Sequence, residues 1–276
     1  MLHINSAYDQ LTEKQFKKEK FFLQRELLKL QEWIVSNDLK LAVIFEGRDA
    51  AGKGAAIRMF TQHLNTKYFR IEELGKPNEK QNRNWFRTFY NLLPKKGEIV
   101  FFDRSWYSRA LIQPTMNYCS TNQYKYFMSN VLNWERQLHS EGVLIIKFYL
   151  SVDKGTQWKR FQFRKNHELK YWKLSKNDVE SIEYWGKLSW YKNKMLHHTS
   201  SKVSPWVIVN ANIKTIAQLN CMRYLLSKFE YDNKKKLKQK KWSSTESDRD
   251  IEIKGVKFED LNDEQYHLLS LIRQSL

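Results

Sequence analysis

Apolar positions at helical spacing run from Leu11 to Val35 (Phe21, Phe22, Leu27, Leu28, Leu30, Trp33, Ile34) and predict a long leading helix. The rhythm then changes. Leu41-Ala42-Val43-Ile44-Phe45 is an unbroken apolar run of strand length, and similar runs recur at Ile99–Asp103, Val143–Leu150 and Trp206–Val209. Unbroken runs, as opposed to alternation, belong to strands buried on both faces. A further strand is read at Tyr68–Glu72, and helices at Glu79–Leu92 (stopped by Pro94), Ser105–Ile112, Thr121–Ser140 and Thr215–Phe229. The basic segment between the last two strands reads as two helices around a loop at Asn166–Ser175. Strands alternating with helices predict an α/β fold with a mostly parallel sheet covered on both sides. After Tyr231 a lysine cluster and Ser243-Ser244-Thr245 read as a linker. A weakly amphipathic piece (Tyr266, Leu268, Leu269, Leu271, Ile272) follows. The expected organisation is one domain over residues 1–230, with a helical lid at about 154–194, and a lysine-rich C-terminal extension over 231–276.

Between the first strand and the helix that follows lies Glu46-Gly47-Arg48-Asp49-Ala50-Ala51-Gly52-Lys53-Gly54, which has the glycine spacing and lysine of a phosphate-cradling loop. Backbone N–H groups in a concave turn hold phosphate oxygens, and a helix N-terminus behind them adds positive partial charge. Three of the chain's nine glycines, Gly47, Gly52 and Gly54, sit here, and Lys53 adds a full charge. Ser or Thr commonly follows this lysine and ligates Mg²⁺. The chain has Gly54 instead, so metal ligands must come from elsewhere. Asp49 is a candidate, the alternative being a turn residue that bonds its own backbone.

Asp103 ends an apolar strand, where a second carboxylate positions Mg²⁺ in phosphoryl-transfer sites; it can equally cap the next helix. Arg104 and Arg109 follow within reach of phosphates, against the alternative of surface arginines with carboxylate partners. Arg160 and Arg164 stand four residues apart and share a helix face, as two lid arginines would. Trp158, Trp172, Trp185 and Trp190 could stack bases, but aromatics at helical spacing are read first as core. His197-His198 lacks a partner cluster and is not read as a metal site.

Charge sharpens the picture. The 276 residues carry a formal net charge of +18, and after Glu230 ten basic residues face nine acidic ones. The excess therefore belongs to the first 230 residues, and eleven Lys or Arg fall between Lys154 and Lys194. Such a field steers a polyanion and weakens with salt. No apolar run is long enough for a membrane helix, the first twenty residues lack a signal-peptide core, and Cys119 and Cys221 lack metal spacing, so a cytoplasmic protein without membrane contact is expected.

Taken in order, Phe45–Gly54, Gly97–Ala110 (with Phe-Asp-Arg-Ser-Trp-Tyr), Trp172-Lys173-Leu174-Ser175 with Asp178, and Ser204-Pro205-Trp206 resemble the type 2 polyphosphate kinases over roughly Leu11 to Glu230. The resemblance implies a thymidylate-kinase-like P-loop kinase fold, Mg²⁺ as cofactor, and a homo-oligomer, dimer or tetramer. It also implies phosphoryl transfer between inorganic polyphosphate and a nucleotide, most similar to members acting on nucleoside diphosphates. By the same resemblance Asp49, Lys53, Asp103 and Arg104 handle metal and phosphate, with Asp49 and Asp103 the metal ligands. Arg160 and Arg164 serve the lid, and Lys67 stands where the family has a phosphate-handling Arg. The chain departs from the pattern at Ala55 (usually Gly), at Thr88-Phe89 (usually Arg-Tyr), at Lys67 and at Ser200.

The expected function is thus reversible transfer between polyphosphate and ADP or GDP. One rival is a nucleoside or nucleotide kinase with ATP as donor; another is a nucleic-acid-binding P-loop ATPase. The absence of a recognisable nucleic-acid motif sets the second aside, and no nucleic-acid partner is expected.

Overall fold

The computed structural model describes residues 1–3, 8, 11–174, 182–237, 251–258 and 263–274. Six parallel strands form the main sheet: β1 (Leu2–His3), β2 (Lys40–Gly47), β3 (Phe69–Glu73), β4 (Glu98–Asp103), β5 (Val143–Ser151) and β6 (Trp206–Asn210), in the order β1-β6-β5-β2-β4-β3. Leu41 to Phe45 are fully buried, as strands covered on both faces require. The helices are α1 (Glu13–Ser36), α2 (Lys53–Thr61), α3 (Glu79–Arg83), α4 (Trp85–Tyr90), α5 (Ile112–Thr115), α6 (Thr121–Ser140), α7 (Lys154–Lys165), α8 (Trp185–Thr199), α9 (Lys214–Ser227) and α10 (Asp263–Gln274). One core joins α1, α2 and α9 to one sheet face; the other packs α4, α6 and α8 on the opposite face.

Helix starts follow capping chemistry. Thr12 with Gln15 begins α1 and Ser120 with Gln123 begins α6, each as a reciprocal capping box. The single helix expected over Glu79–Leu92 is instead two, broken at Asn84, whose carbonyl accepts from the Thr88 hydroxyl at 3.0 Å. The helix expected over Ser105–Ile112 is a 3-10 turn, Trp106–Arg109, followed by α5. Here the Trp106 and Tyr107 rings enter the core and override helical regularity.

Residues 231–237 are not the start of a linker. The Tyr231 hydroxyl and the Lys235 N–H donate to Glu26 at 3.1 and 3.0 Å, and Lys29 donates to the Asn233 carbonyl at 2.8 Å, tying the segment to α1. A small antiparallel hairpin, β7 (Ile251–Ile253) with β8 (Val256–Phe258), precedes α10. Ser175, Asp178 and Ser243-Ser244-Thr245 lie outside the described residues.

The order matters for function. β2 is flanked by β4 on one side and β5 on the other, so the chain leaves its two neighbours in opposite directions. Their carboxyl ends open a crevice there, the usual ligand position in such sheets.

Candidate active site

The loop after β2 sits in this crevice. Gly47 has no room for a side chain, because a Cβ would lie 2.5 Å from the Leu150 carbonyl oxygen of β5. Ala50 (φ 60°) and Gly52 (φ 110°) are left-handed, which turns the loop back on itself before α2. Every carbonyl from Gly47 to Gly52 has a donor. The Lys53 ammonium, itself buried, donates to Gly47 and Arg48 at 3.1 and 3.2 Å. Gln157 of α7 donates to Asp49 at 2.8 Å, and Arg160 donates to Ala50 at 3.0 Å and Ala51 at 3.3 Å. The Ala56 N–H closes on Gly52 at 2.9 Å. A trans peptide carries its N–H antiparallel to its C=O. Carbonyls drawn to α7 therefore turn the Ala50 and Gly52 N–H groups away from it.

On the β4 side, Asp103 ends its strand level with Phe45 of β2. A Cβ on Gly54 would lie 3.0 Å from Asp103 Oδ2, so the carboxylate occupies the room that a side chain at 54 would need. Arg104 adopts φ 67°, a left-handed turn that aims its guanidinium back at Asp49, with which it forms an ion pair. Glu46, which the sequence reading did not single out, holds this corner. Its buried carboxylate accepts from the Ser105 N–H at 2.8 Å and the Ser105 hydroxyl at 3.0 Å. Burial pushes its pKa up to about 7, against the pull of those donors and of Arg104 and Lys53. A cleft of about 210 Å³ opens beside the Asp49–Arg104 pair, between Gly75–Pro77 and Ser108–Tyr118. Two buried oxygens among its lining residues, Ser108 Oγ and Gln113 Oε1, have no hydrogen-bond partner, and Gln113 is only 2% exposed.

Gly47, Asp49, Gly52, Lys53, Gly54, Asp103 and Arg104 therefore meet at one place. Four other residues read from the sequence are disposed differently. Arg160 lies against the loop, but its guanidinium is engaged by carbonyls: besides Ala50 and Ala51 it donates to Ala211 at 2.6 Å and Asn212 at 3.1 Å. As arranged, it braces the loop against β6 and faces no open phosphate position. Arg164 points along its own segment and donates to the Lys173 carbonyl at 3.2 Å. Arg109 is 1% exposed, lies on the Trp85 ring at 4.4 Å and donates to Asn82, away from the loop. Lys67 precedes β3, at the amino end of the sheet. Four strand steps, about 13 Å, separate Phe69 from Glu73, which is level with Asp103. Strand polarity thus removes Lys67 from the crevice. Ser200 accepts from the Trp206 N–H at 3.1 Å and anchors the start of β6.

The tryptophans overturn the core reading. Trp158, Trp172 and Trp190 are 51, 68 and 55% exposed, and Trp185 instead receives the Arg48 guanidinium on its face at 3.4 Å. Helical spacing does not distinguish a ring packed in a core from one that seats a cation.

A family model described as polyphosphate kinase 2 (PPK2) matches residues 10–237. The chain belongs to the polyphosphate kinase 2 family. A GDP-polyphosphate phosphotransferase of Mycobacterium tuberculosis is 42% identical over 226 residues, covering 82% of this chain and 77% of that protein. An ADP-polyphosphate phosphotransferase of Pseudomonas aeruginosa is 40% identical over 226 residues, covering 82% and 74%. A crystal structure titled putative polyphosphate kinase 2, also from Pseudomonas aeruginosa, superposes with a TM-score of 0.74 at 28% identity, over 80% of this chain and 49% of that one. The polyphosphate kinase 2 structure from Arthrobacter aurescens shares the fold with a TM-score of 0.75 at 21% identity, over 89% and 91%. Relatives named for GDP and for ADP thus differ little in identity, 42% against 40%, so overall identity does not select the base.

Proposed function

We propose that this chain transfers a phosphoryl group, reversibly and with Mg²⁺, between inorganic polyphosphate and a nucleoside diphosphate. The observation that carries the reading is the meeting of Lys53, Asp103 and the Asp49–Arg104 pair at the carboxyl ends of β2 and β4, beside a cleft with unpartnered polar atoms. The cleft suits the nucleotide: Gln113 and Ser108 can hydrogen-bond it while Arg104 reaches its phosphates.

In the forward direction a terminal oxygen of the diphosphate attacks the end phosphorus of the chain. One P–O bond forms, the anhydride P–O bond behind it breaks, and the shortened chain leaves with the electron pair. No covalent enzyme intermediate is needed, because positioning and charge neutralisation do most of the work in such transfers. Lys53 exchanges its loop carbonyls for phosphate oxygens, and Arg104 neutralises charge on the acceptor side. The donor set fits Mg²⁺, which takes one or two carboxylates together with substrate phosphates in preference to a protein cage. Among the described residues no group of three His, Cys, Asp or Glu could form such a cage. Asp103 and Asp49 would hold the ion, which supplies charge neutralisation between the reacting phosphates. The reading extends to a homo-oligomer in the cytoplasm, which light scattering and cell fractionation test. Among the described residues no helix is long and apolar enough to cross a membrane.

The test is ATP formation from ADP, Mg²⁺ and long-chain polyphosphate, with GDP and AMP in parallel and with EDTA as control. ATP or GTP production that EDTA abolishes is the expected outcome. Activity with ATP and a nucleoside, and none with polyphosphate, would make the protein an ordinary nucleotide kinase.

A further inference from the structure

We infer that the pocket lined by Arg87, Arg109 and Tyr126 is a second nucleotide site, separate from the active-site cleft: the two arginines take the phosphate of a nucleoside phosphate and Tyr126 takes its base. The inference does not depend on the proposed transfer.

It starts from a buried charge. Arg109 is 1% exposed, and a guanidinium stays protonated in proteins. Its neighbours are the Trp85 ring, the Asn82 carbonyl and the Cys119 thiol. Burial pushes the pKa of that thiol up in spite of Arg109, so the thiol stays neutral and brings no opposite charge. Among the described residues no carboxylate pairs with Arg109, and its Nε has no hydrogen-bond partner. Buried charges are ordinarily paired, and an anionic ligand would pair this one.

The pocket has room for more than an anion. Its volume is about 200 Å³, and it shares no lining residue with the cleft beside Asp49. Ser108 lines the cleft and Arg109 the pocket, so consecutive residues of one turn divide the two. Arg87 brings a second guanidinium. The family usually carries its arginine at position 88, and one position is about 100° around a helix. Here the Thr88 hydroxyl turns to the Asn84 carbonyl, while Arg87 is exposed, lines the pocket and pairs with no carboxylate among the described residues. Tyr126, also in the lining, is 64% exposed, with Phe86 beside it at 6.3 Å. Asn82 adds an acceptor: its Nδ2 donates to the Tyr118 carbonyl at 3.1 Å, but its buried Oδ1 has no donor. Two guanidiniums, an exposed ring and a buried acceptor together suit one molecule that has an anion, a flat face and an N–H group. A nucleoside phosphate combines all three, whereas inorganic phosphate and polyphosphate offer the anion alone.

The test is equilibrium dialysis of labelled ADP against the full chain without polyphosphate, for wild type, Arg87→Ala, Tyr126→Ala and Lys53→Ala. Wild type is expected to bind two ADP per chain, one at the cleft and one in this pocket. Arg87→Ala should weaken one of the two about tenfold, the usual scale for a hydrogen bond to a charged group. Tyr126→Ala should weaken the same one about fivefold through lost stacking. Both should leave the other unchanged, and Lys53→Ala should show the reverse. Arg87 and Tyr126 are exposed, so equal thermal unfolding without nucleotide checks that the variants keep the fold. A single ADP per chain in wild type, or two bound with wild-type affinity by Arg87→Ala, would overturn the site. Unaltered binding by Tyr126→Ala, or inorganic phosphate competing there as well as ADP, would overturn a nucleotide as its ligand. Two bound ADP in a protein that transfers nothing from polyphosphate would retain the site and overturn the function. Transfer with one bound ADP would do the opposite.

Discussion

The two sides of β2 handle charge by opposite means. On the β4 side Asp49 pairs with Arg104 and Glu46 accepts from Ser105, while Asp103 fills the room above Gly54. On the β5 side Lys170 and Lys173 rest on rings and the Lys214 stem passes beside Gly52. The first arrangement positions individual atoms, as chemistry at one phosphorus requires. The second builds a field, as capture of a long and featureless polyanion requires. Specific pairing favours geometry, and unpaired cations favour reach.

Substitutions can break this contrast, beginning with the largest effect. Lys53→Ala should lower kcat about a thousandfold or more, since it removes the buried ammonium that the loop carbonyls hold in place. Substantial residual turnover in a folded variant would remove Lys53 from the site. The Glu46 corner makes a claim about stability. Its pKa is raised from 4.5 to about 7 in the folded protein, so it favours the fold fully below pH about 4.5 and loses that contribution as pH rises towards about 7. The stability difference between wild type and Glu46→Gln, followed by urea unfolding from pH 4.5 to 8, should therefore change by up to about 3 kcal/mol in the direction of wild type weakening. A flat difference would show that Glu46 is ionised throughout.

Gly54→Ala probes the same side more finely. The added Cβ would meet Asp103 Oδ2 at 3.0 Å, so the carboxylate must shift, and kcat/KM should fall about tenfold to a hundredfold with little loss of thermal stability. Wild-type kinetics would mean that Asp103 does not act from this position. Across β2, Arg160→Ala should cost about 2 kcal/mol of stability, because four carbonyls lose their donor. Arg164→Ala should cost less stability than that and raise the KM for polyphosphate. Equal thermal shifts in the two variants would erase the distinction between brace and field.

Much of the β4 side was legible from the chain alone. The glycine spacing, Lys53 and the Asp103–Arg104 pair are local signals, because a tight turn at a strand end needs particular residues in sequence order. Arg109 stands in the same stretch, and only packing reveals that it lies against Trp85 in the interior. Arg160 differs: its spacing from Arg164 is local, but which carbonyls lie within reach depends on where α7 meets the loop and β6. Lys214 gave no signal at all, being an isolated lysine 161 positions after Lys53.

Apolar periodicity and turn chemistry by themselves determined the alternating α/β order, the phosphate loop and the concentration of positive charge before Glu230, since each depends on neighbours along the chain. Tertiary structure alone decided the strand order that puts β2 between β4 and β5, the exile of Lys67 to the far end of the sheet, and the exposure of the tryptophans. Those outcomes turn on which elements come to lie side by side and which way each strand runs, and both are fixed by long-range burial acting on the whole chain at once.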